Sequence, residues 1–167
     1  CHQVTINIAQ MPLEIERKFL VKNNNYRSLA LPLIYRQGYL AILPEREVRV
    51  RLAGGKSYLS VKARIDETTR HEFEYAIPPE DAIFMLDNLC TGYRIEKLRY
   101  RIPDHGLIWE VDEYSGDNQG LVVAEIELPD PAFPFSKPEW IGEEITGDDR
   151  YLNAALALNP YKNWNDG

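Results

Sequence analysis

The sequence predicts a mostly β fold (α+β class), built as an antiparallel sheet, a sandwich or a barrel with a few helices beside it. Apolar and polar residues alternate with a period of two along most of the 167 residues, which is the pattern of half-buried strands. The alternating segments are short, and tight-turn sequences join them, such as Gly-Gly at residues 54–55 and Pro-Asp-His-Gly at residues 103–106. Regular short strands joined by tight turns are typical of antiparallel architectures.

The alternation predicts eight strands, and two segments with a different spacing predict helices. In chain order, the predicted strands span residues 12–21, 34–43, 46–53, 57–65, 70–77, 94–102, 107–114 and 121–128. Apolar residues at helical spacing predict a helix over residues 79–90, where Pro79 suits the first turn. A second helix is predicted over residues 148–158, and the proline-rich segment 129–138 is expected to be a loop.

Composition argues against several classes of protein. The formal net charge of −7 argues against nucleic acid as a partner, because nucleic-acid binders usually carry net positive charge. No apolar run approaches the roughly 20 residues that span a bilayer, so no membrane partner is expected. Residues 1–10 do not resemble a secretory signal; we interpret them as a leader from a tag or an extension, and residues 11–167 as a single domain. A cytoplasmic location is expected, with Cys90 as a buried structural thiol.

Ionisable side chains occupy one face of seven of the predicted strands. Because alternate residues of a strand point the same way, these faces carry Glu14, Glu16 and Lys18; Arg49 and Arg51; Lys62; Glu72 and Glu74; Lys97 and Arg99; Glu110 and Asp112; and Glu125 and Glu127. Like-charged pairs repel unless opposite charges or ions lie between them. For a single strand, a solvent-exposed face is the simpler interpretation. Together, the seven faces favour a shared site around a charged ligand.

A polyphosphate is the ligand that suits both signs of charge. Arg donates paired hydrogen bonds to phosphate oxygens, and Lys supplies a compact positive charge. Carboxylates are preferred ligands of Mg²⁺ and Mn²⁺, which bridge phosphate oxygens. The pattern therefore predicts a metal–polyphosphate complex as the ligand, with Mg²⁺ or Mn²⁺ as the cofactor.

The order of motifs resembles one known family. Residues 14–18, Glu-Ile-Glu-Arg-Lys, are similar to the ExExK signature of the CYTH superfamily, the triphosphate tunnel metalloenzymes. They are followed in order by Arg36-Gln37-Gly38-Tyr39-Leu40, Arg49-x-Arg51, Lys62, Arg70-x-Glu72-x-Glu74, Glu96-Lys97-x-Arg99-Tyr100, Glu110-x-Asp112 and Glu125-x-Glu127. The tail, residues 140–146 with Arg150-Tyr151-x-Asn153, is similar to the short bacterial, inorganic triphosphatase-like branch. The resemblance covers residues 12–158.

The resemblance implies a closed, antiparallel, eight-stranded β-barrel tunnel with a polar, charged lumen and a few flanking helices. The residues that match the family's phosphate-binding positions are Lys18, Arg49, Arg51, Lys62, Lys97 and Arg99. Those that match its metal-holding or water-positioning residues are Glu14, Glu16, Asp112, Glu125 and Glu127. We expect Glu14, Glu16 and Lys18 to be catalytic, with Glu16 or Glu14 as the general base.

The leading functional hypothesis is metal-dependent hydrolysis of inorganic tripolyphosphate to pyrophosphate and orthophosphate. The enzymatic alternatives are a nucleotide or thiamine triphosphatase and a class IV adenylate cyclase, since the phosphate-binding residues would be the same. A non-catalytic module that binds polyphosphate or organic triphosphates is the alternative from a different class. The expected partner is a small polyphosphate or organic triphosphate, and the sequence leaves open whether the chain forms a homodimer.

Several residues lie outside this pattern. Leu152 replaces a residue that is usually polar in the family's tail, a departure at the terminal helix that the resemblance implies would help to close the tunnel. Arg64 and Arg101 extend two basic rows and would lie either in the lumen or at its rim. The three tryptophans, Trp109, Trp140 and Trp164, are interpreted as packing residues.

Overall fold

The structure is a computed structural model, and it describes residues 13–90 and 92–164. The leader predicted over residues 1–10 lies outside these residues. The strands are β1 (Leu13–Val21), β2 (Leu33–Leu43), β3 (Arg46–Ala53), β4 (Lys56–Arg64), β5 (Thr69–Ala76), β6 (Arg94–Asp104), β7 (Leu107–Tyr114), β8 (Val122–Glu127) and β9 (Ile141–Glu144). The helices are α1 (Pro79–Asn88) and α2 (Asn153–Leu158).

Eight of the strands form a closed antiparallel ring. Their order is β5-β4-β3-β2-β6-β7-β8-β1, and β1 pairs again with β5. The ring closes through the first residues of β1, where Glu14 lies opposite Arg70. The later residues of β1 pair with β8 on one edge and with β9 on the other. The predicted closed, eight-stranded tunnel is thereby confirmed.

Each predicted strand is present, and its ends lie within two residues of the predicted ends. The sequence analysis missed β9, because its four residues follow a proline-rich loop and are too few to show a clear alternation. Gly142 lets β9 approach β1 closely, since a Cβ there would lie 3.1 Å from the carbonyl oxygen of Leu20. Strand β9 therefore pairs with the later residues of β1, beyond those that pair with β5.

The prediction of one continuous helix over residues 148–158 is wrong. A 3-10 turn spans Asp149–Tyr151, and α2 begins only at Asn153. The side chain of Asp148 accepts a hydrogen bond from the backbone N–H of Arg150 and begins the turn. Leu152 is then extended, with φ −67° and ψ 140°, which separates the two elements.

Much of the hydrophobic core lies outside the ring, between the outer faces of the strands and the segments that cover them. Phe19, Trp109 and Trp140 are buried in one cluster, with edge-to-face ring contacts at 5.6 and 5.9 Å. A second cluster contains Leu156 of α2 and Ile95, whose strand parity turns its side chain toward the interior of the ring. Because the apolar faces are covered from outside, the opposite faces of the same strands are left to line the interior.

Helix α1 covers the outer faces of β3 and β4. Leu86 packs with Val50 there, and the helix ends next to the buried thiol of Cys90. A Cβ at Gly38 would lie 2.6 Å from the Cβ of Cys90, so only glycine allows this contact. Within residues 13–90 and 92–164, no helix is long and apolar enough to cross a membrane.

Candidate active site

The ring encloses a cavity of about 470 Å³, and each of its eight strands contributes to the lining. The basic lining residues are Lys18, Arg46, Arg49, Arg51, Lys56, Lys62, Arg64, Arg70, Arg99 and Arg101. The acidic ones are Glu14, Glu16, Glu45, Glu47, Glu72, Glu74, Glu110, Glu125 and Glu127. The charged strand faces that the alternation predicts therefore point into one cavity instead of toward the outer surface.

Opposite charges separate the like-charged pairs of the sequence. Nζ of Lys62 lies 3.2 Å from Glu14, and Nζ of Lys18 lies 3.4 Å from Glu125. Similar contacts join Arg70 to Glu16 at 3.3 Å, Arg49 to Glu72 at 3.7 Å and Arg51 to Glu74 at 3.2 Å. These contacts cross from strand to strand, so the repulsion within each row is compensated by its neighbours.

Two predicted site residues, Lys97 and Asp112, are fully buried and are not among the residues that line the cavity. Nζ of Lys97 donates to Oδ2 of Asp112 at 2.7 Å. Arg99 donates to the same carboxylate through Nε at 2.7 Å and Nη2 at 2.8 Å. Arg99 itself does line the cavity. The carboxylate of Asp112 thus fixes the plane of a guanidinium that faces the lumen.

Burial and charge shift the titration of this triad. Burial lowers the pKa of Lys97 to about 8, although the negative charge of Asp112 opposes the shift. Burial would raise the pKa of Asp112, but the positive charges of Arg99 and Lys97 outweigh it and hold that pKa below its usual range. Asp112 is therefore ionised at neutral pH, and it compensates the buried charge of Lys97 and, together with Glu110, that of Arg99.

The acidic residues of β1 and β8 divide into two kinds. Burial, and then the negative charges of Glu125 and Glu14, raise the pKa of Glu16 well above its usual range. Burial and the charges of Glu14 and Glu16 likewise raise the pKa of Glu127. For Glu125 burial acts in the same direction, but Lys18 and other cations lower its pKa well below normal. The ionised forms of Glu16 and Glu127 are therefore disfavoured, and a further cation beside them would stabilise these ionised forms.

The donor chemistry of this cluster suits a hard divalent cation. Glu14, Glu16, Glu125 and Glu127 all line the cavity and offer only carboxylate oxygens. The part of the chain that the structure describes contains no group of three or more Asp, Glu, His or Cys close enough to hold a metal ion by themselves. Carboxylates that need further ligands to hold an ion fit Mg²⁺, because Mg²⁺ commonly binds through one or two carboxylates together with substrate phosphates.

Sequence reasoning missed the aromatic residues of the lumen. Tyr35, Tyr39 and Tyr58 line the cavity. The hydroxyl of Tyr39 is buried without a hydrogen-bond partner among the described residues, and burial raises its pKa. The alternation of β2 contains the signal, because Tyr35 and Tyr39 share parity, but a pattern of ionisable residues does not single out a strand whose inner face is neutral.

The C-terminal segment reaches the same cavity. Leu152 and Asn153 belong to its lining, and the hydroxyl of Tyr114 donates to Oδ1 of Asn153 at 2.5 Å. Arg64, which also lines the cavity, lies 3.0 Å from Asp149. The apolar Leu152 therefore does not prevent the tail from covering part of the tunnel.

Comparisons with known proteins place this arrangement in a family. An inorganic triphosphatase from Acetivibrio thermocellus is 51% identical over 156 residues, which cover 93% of this chain and 100% of that protein. An inorganic triphosphatase from Nitrosomonas europaea is 40% identical over 152 residues, covering 87% of this chain and 97% of that protein. The crystal structure of an inorganic triphosphatase has a TM-score of 0.65 at 32% identity, covering 95% of this chain and 98% of that chain.

The family model agrees with the motifs and with the ring. The model of the CYTH domain matches residues 12–154, a range that contains all eight strands of the ring. The predicted hydrolase class agrees with the names of the two relatives. The family predicted from the motifs is confirmed: the chain belongs to the CYTH domain family.

Proposed function

We propose that this chain hydrolyses inorganic tripolyphosphate to pyrophosphate and orthophosphate with the help of a divalent metal ion. The observation that carries the proposal is the cavity, in which buried cations and an acidic cluster face one small volume. A phosphate chain requires the cations and a metal ion requires the carboxylates, whereas a pure anion receptor would gain from fewer negative charges. The two inorganic triphosphatases that match nearly the whole chain support the same substrate.

The phosphate chain is bound by Lys18, Arg49, Arg51, Lys62 and Arg99. Two of these residues have donors that are not yet used: within the described part of the chain, Nε of Arg49 and Nε of Arg51 are buried without a hydrogen-bond partner. A buried donor without a partner is unfavourable by about 1–3 kcal/mol, so phosphate oxygens that accept these bonds remove an existing penalty. The cations would also stabilise the charge that develops on phosphate oxygens during transfer.

Lys97 and Asp112 act through Arg99. Asp112 accepts two hydrogen bonds from Arg99 and one from Lys97, which leaves it little capacity for a metal ion. We therefore propose that Lys97 and Asp112 position Arg99, in place of the direct substrate and metal contacts that the resemblance implies.

Mg²⁺ or Mn²⁺ would be held by one or two carboxylates at a time from the cluster Glu14, Glu16, Glu125 and Glu127, together with phosphate oxygens. When bound, the ion would neutralise phosphate charge and lower the pKa of a nearby water. Glu16 has the strongly raised pKa of the cluster, which suits a group that accepts a proton from the attacking water. Glu14, which shares its strand face, is the second candidate for this role.

Removal of divalent metal is expected to abolish the activity. Excess EDTA should stop phosphate release from tripolyphosphate, and added Mg²⁺ or Mn²⁺ should restore it, because the carboxylate cluster offers the ligands of a hard cation. Phosphate release is measured before chelation, after it and after the metal is returned. Full turnover in excess EDTA would contradict the metal-dependent mechanism.

Replacing Arg51 with Ala is expected to weaken substrate binding more than it slows turnover. The substitution removes a phosphate contact that is present in both the ground state and the transition state. Loss of a hydrogen bond to a charged group corresponds to about 1.5–3 kcal/mol, so KM should rise roughly 10- to 150-fold. Arg36→Ala is a matched control, because Arg36 pairs with Asp87 and Glu96 instead of facing the cavity. An unchanged KM in Arg51→Ala would remove this residue from the binding site.

The other activities considered from the sequence are separated by their products. A nucleotide or thiamine triphosphatase would release phosphate preferentially from an organic triphosphate. An adenylate cyclase would form cyclic AMP and pyrophosphate from ATP. A binding module would retain the ligand without turnover.

We further propose that the substrate is a small anion of the cytoplasm. The net charge of −7 disfavours nucleic acid as a partner, and the cavity of about 470 Å³ suits a short phosphate chain. Measurement of the mass in solution tests whether the chain forms a homodimer, which the sequence leaves open.

A further inference from the structure

Tyr35 lies on a strand whose inner face is neutral, between two strands whose inner faces carry cations. Strand β2 is hydrogen-bonded to β3 on one side and to β6 on the other. In the register of the sheet, Tyr35 lies opposite Ala53 of β3 and Lys97 of β6. Its side chain is buried and lines the cavity. An aromatic ring thus lies where two rows of cations come close together.

The ring contacts a guanidinium from each of these rows. The centroid of Tyr35 is 4.7 Å from Cζ of Arg99 and 5.6 Å from Cζ of Arg51. Tyr58 contacts Arg51 from another strand, with its ring centroid 5.4 Å from Cζ. Both distances to Tyr35 lie within the range of a cation–π interaction. Tyr35 is therefore a physical link between Arg51 and Arg99.

The two guanidiniums need such a link because they repel each other. Burial, and then the positive charges of Arg49 and Arg99, lower the pKa of Arg51. A carboxylate at position 35 would hold the cations but would compete with phosphate for them. An aliphatic side chain would leave the repulsion in place. The face of an aromatic ring attracts both cations and leaves their charge available to an anion.

We infer that Tyr35 is a positioning residue, whose ring holds Arg51 and Arg99 together in the orientation that binds adjacent phosphates. The inference rests on the proposed function for the identity of the anion. The ring face has this role, and the hydroxyl is dispensable for it. Tyr35 acts through the two arginines and takes no part in the chemical step.

The experiment compares Tyr35→Leu, which lacks the ring, with Tyr35→Phe, which keeps it. For tripolyphosphate, Tyr35→Leu should raise KM about tenfold while kcat stays within about twofold, because uniform binding is lost. Tyr35→Phe should restore both constants to within about twofold of the wild type. Calorimetric titration with tripolyphosphate in the presence of EDTA should rank the affinities of the three proteins in the same order.

Thermal unfolding establishes that each variant is folded, and Tyr35→Met replaces Tyr35→Leu if the latter is not. Tyr58→Leu removes a ring that contacts Arg51, so its KM should rise less, by about threefold. An unchanged KM and affinity in Tyr35→Leu or its substitute Tyr35→Met would overturn the inference. A Tyr35→Phe protein as impaired as Tyr35→Leu would overturn it as well. If the wild type does not hydrolyse tripolyphosphate, the proposed function fails, and the titration still decides whether the ring supports anion binding.

Discussion

Replacing Glu16 with Gln is expected to lower kcat for tripolyphosphate by roughly 30- to 1,000-fold, the range for an electrostatic contact of about 2–4 kcal/mol lost from a dry site. The amide keeps the shape of the side chain but can neither accept the proton of the attacking water nor bind a cation with a full charge. The metal concentration required for half-maximal rate should also rise. Initial rates measured separately against substrate and metal concentration distinguish the two effects.

Glu80→Gln is the matched control for this substitution. Glu80 is exposed in the first turn of α1, so the same chemical change there should leave kcat and the metal dependence unaltered. If Glu16→Gln turns over tripolyphosphate at the wild-type rate with an unchanged metal requirement, β1 does not carry the catalytic carboxylate. The binding-module hypothesis would then be favoured.

Replacing Asp112 with Asn is expected to lower the free energy of unfolding by about 3–5 kcal/mol, the usual effect of removing one partner from a buried ion pair. The amide that replaces the carboxylate is not charged, so Lys97 and Arg99 would remain buried without the negative group that now contacts both. Denaturation with urea at pH 7 measures the change. KM should rise as well, because Arg99 would lose its orientation.

The double variant Asp112→Asn with Lys97→Met tests the cause of this loss. Met keeps the length and most of the volume of Lys but carries no charge, so part of the lost stability should return. If the Asp112→Asn protein unfolds within about 0.5 kcal/mol of the wild type, the triad does not stabilise the fold. A double variant no more stable than the single one would exclude the buried charge of Lys97 as the cause.

The alternation of side chains along each strand was enough to predict most of the fold and many of the residues that line the cavity. The alternation placed Glu14, Glu16 and Lys18 on one face of β1, and the structure turns that face into the lumen. The same argument applies to Arg49 and Arg51, because α1 covers the opposite face of β3. Parity is a local property of the backbone, so a single sequence is enough to read it.

Strand parity does not show how far along the tunnel a side chain lies, or whether it reaches the cavity. Lys97 and Arg99 share parity, yet Lys97 is fully buried and does not line the cavity, whereas Arg99 does. This difference depends on the stagger of neighbouring strands, which brings Asp112 opposite Arg99. The position of Tyr35 between two arginines likewise follows from the order of strands in the ring, which is not the order in the chain.

The most direct test of the central claim compares initial rates of phosphate release from tripolyphosphate, ATP and thiamine triphosphate under identical conditions with Mg²⁺ and with Mn²⁺. If the cavity is built for an inorganic phosphate chain, tripolyphosphate should give the highest kcat/KM, with orthophosphate and pyrophosphate as its products. A higher kcat/KM for either organic triphosphate, or formation of cyclic AMP from ATP, would contradict the account.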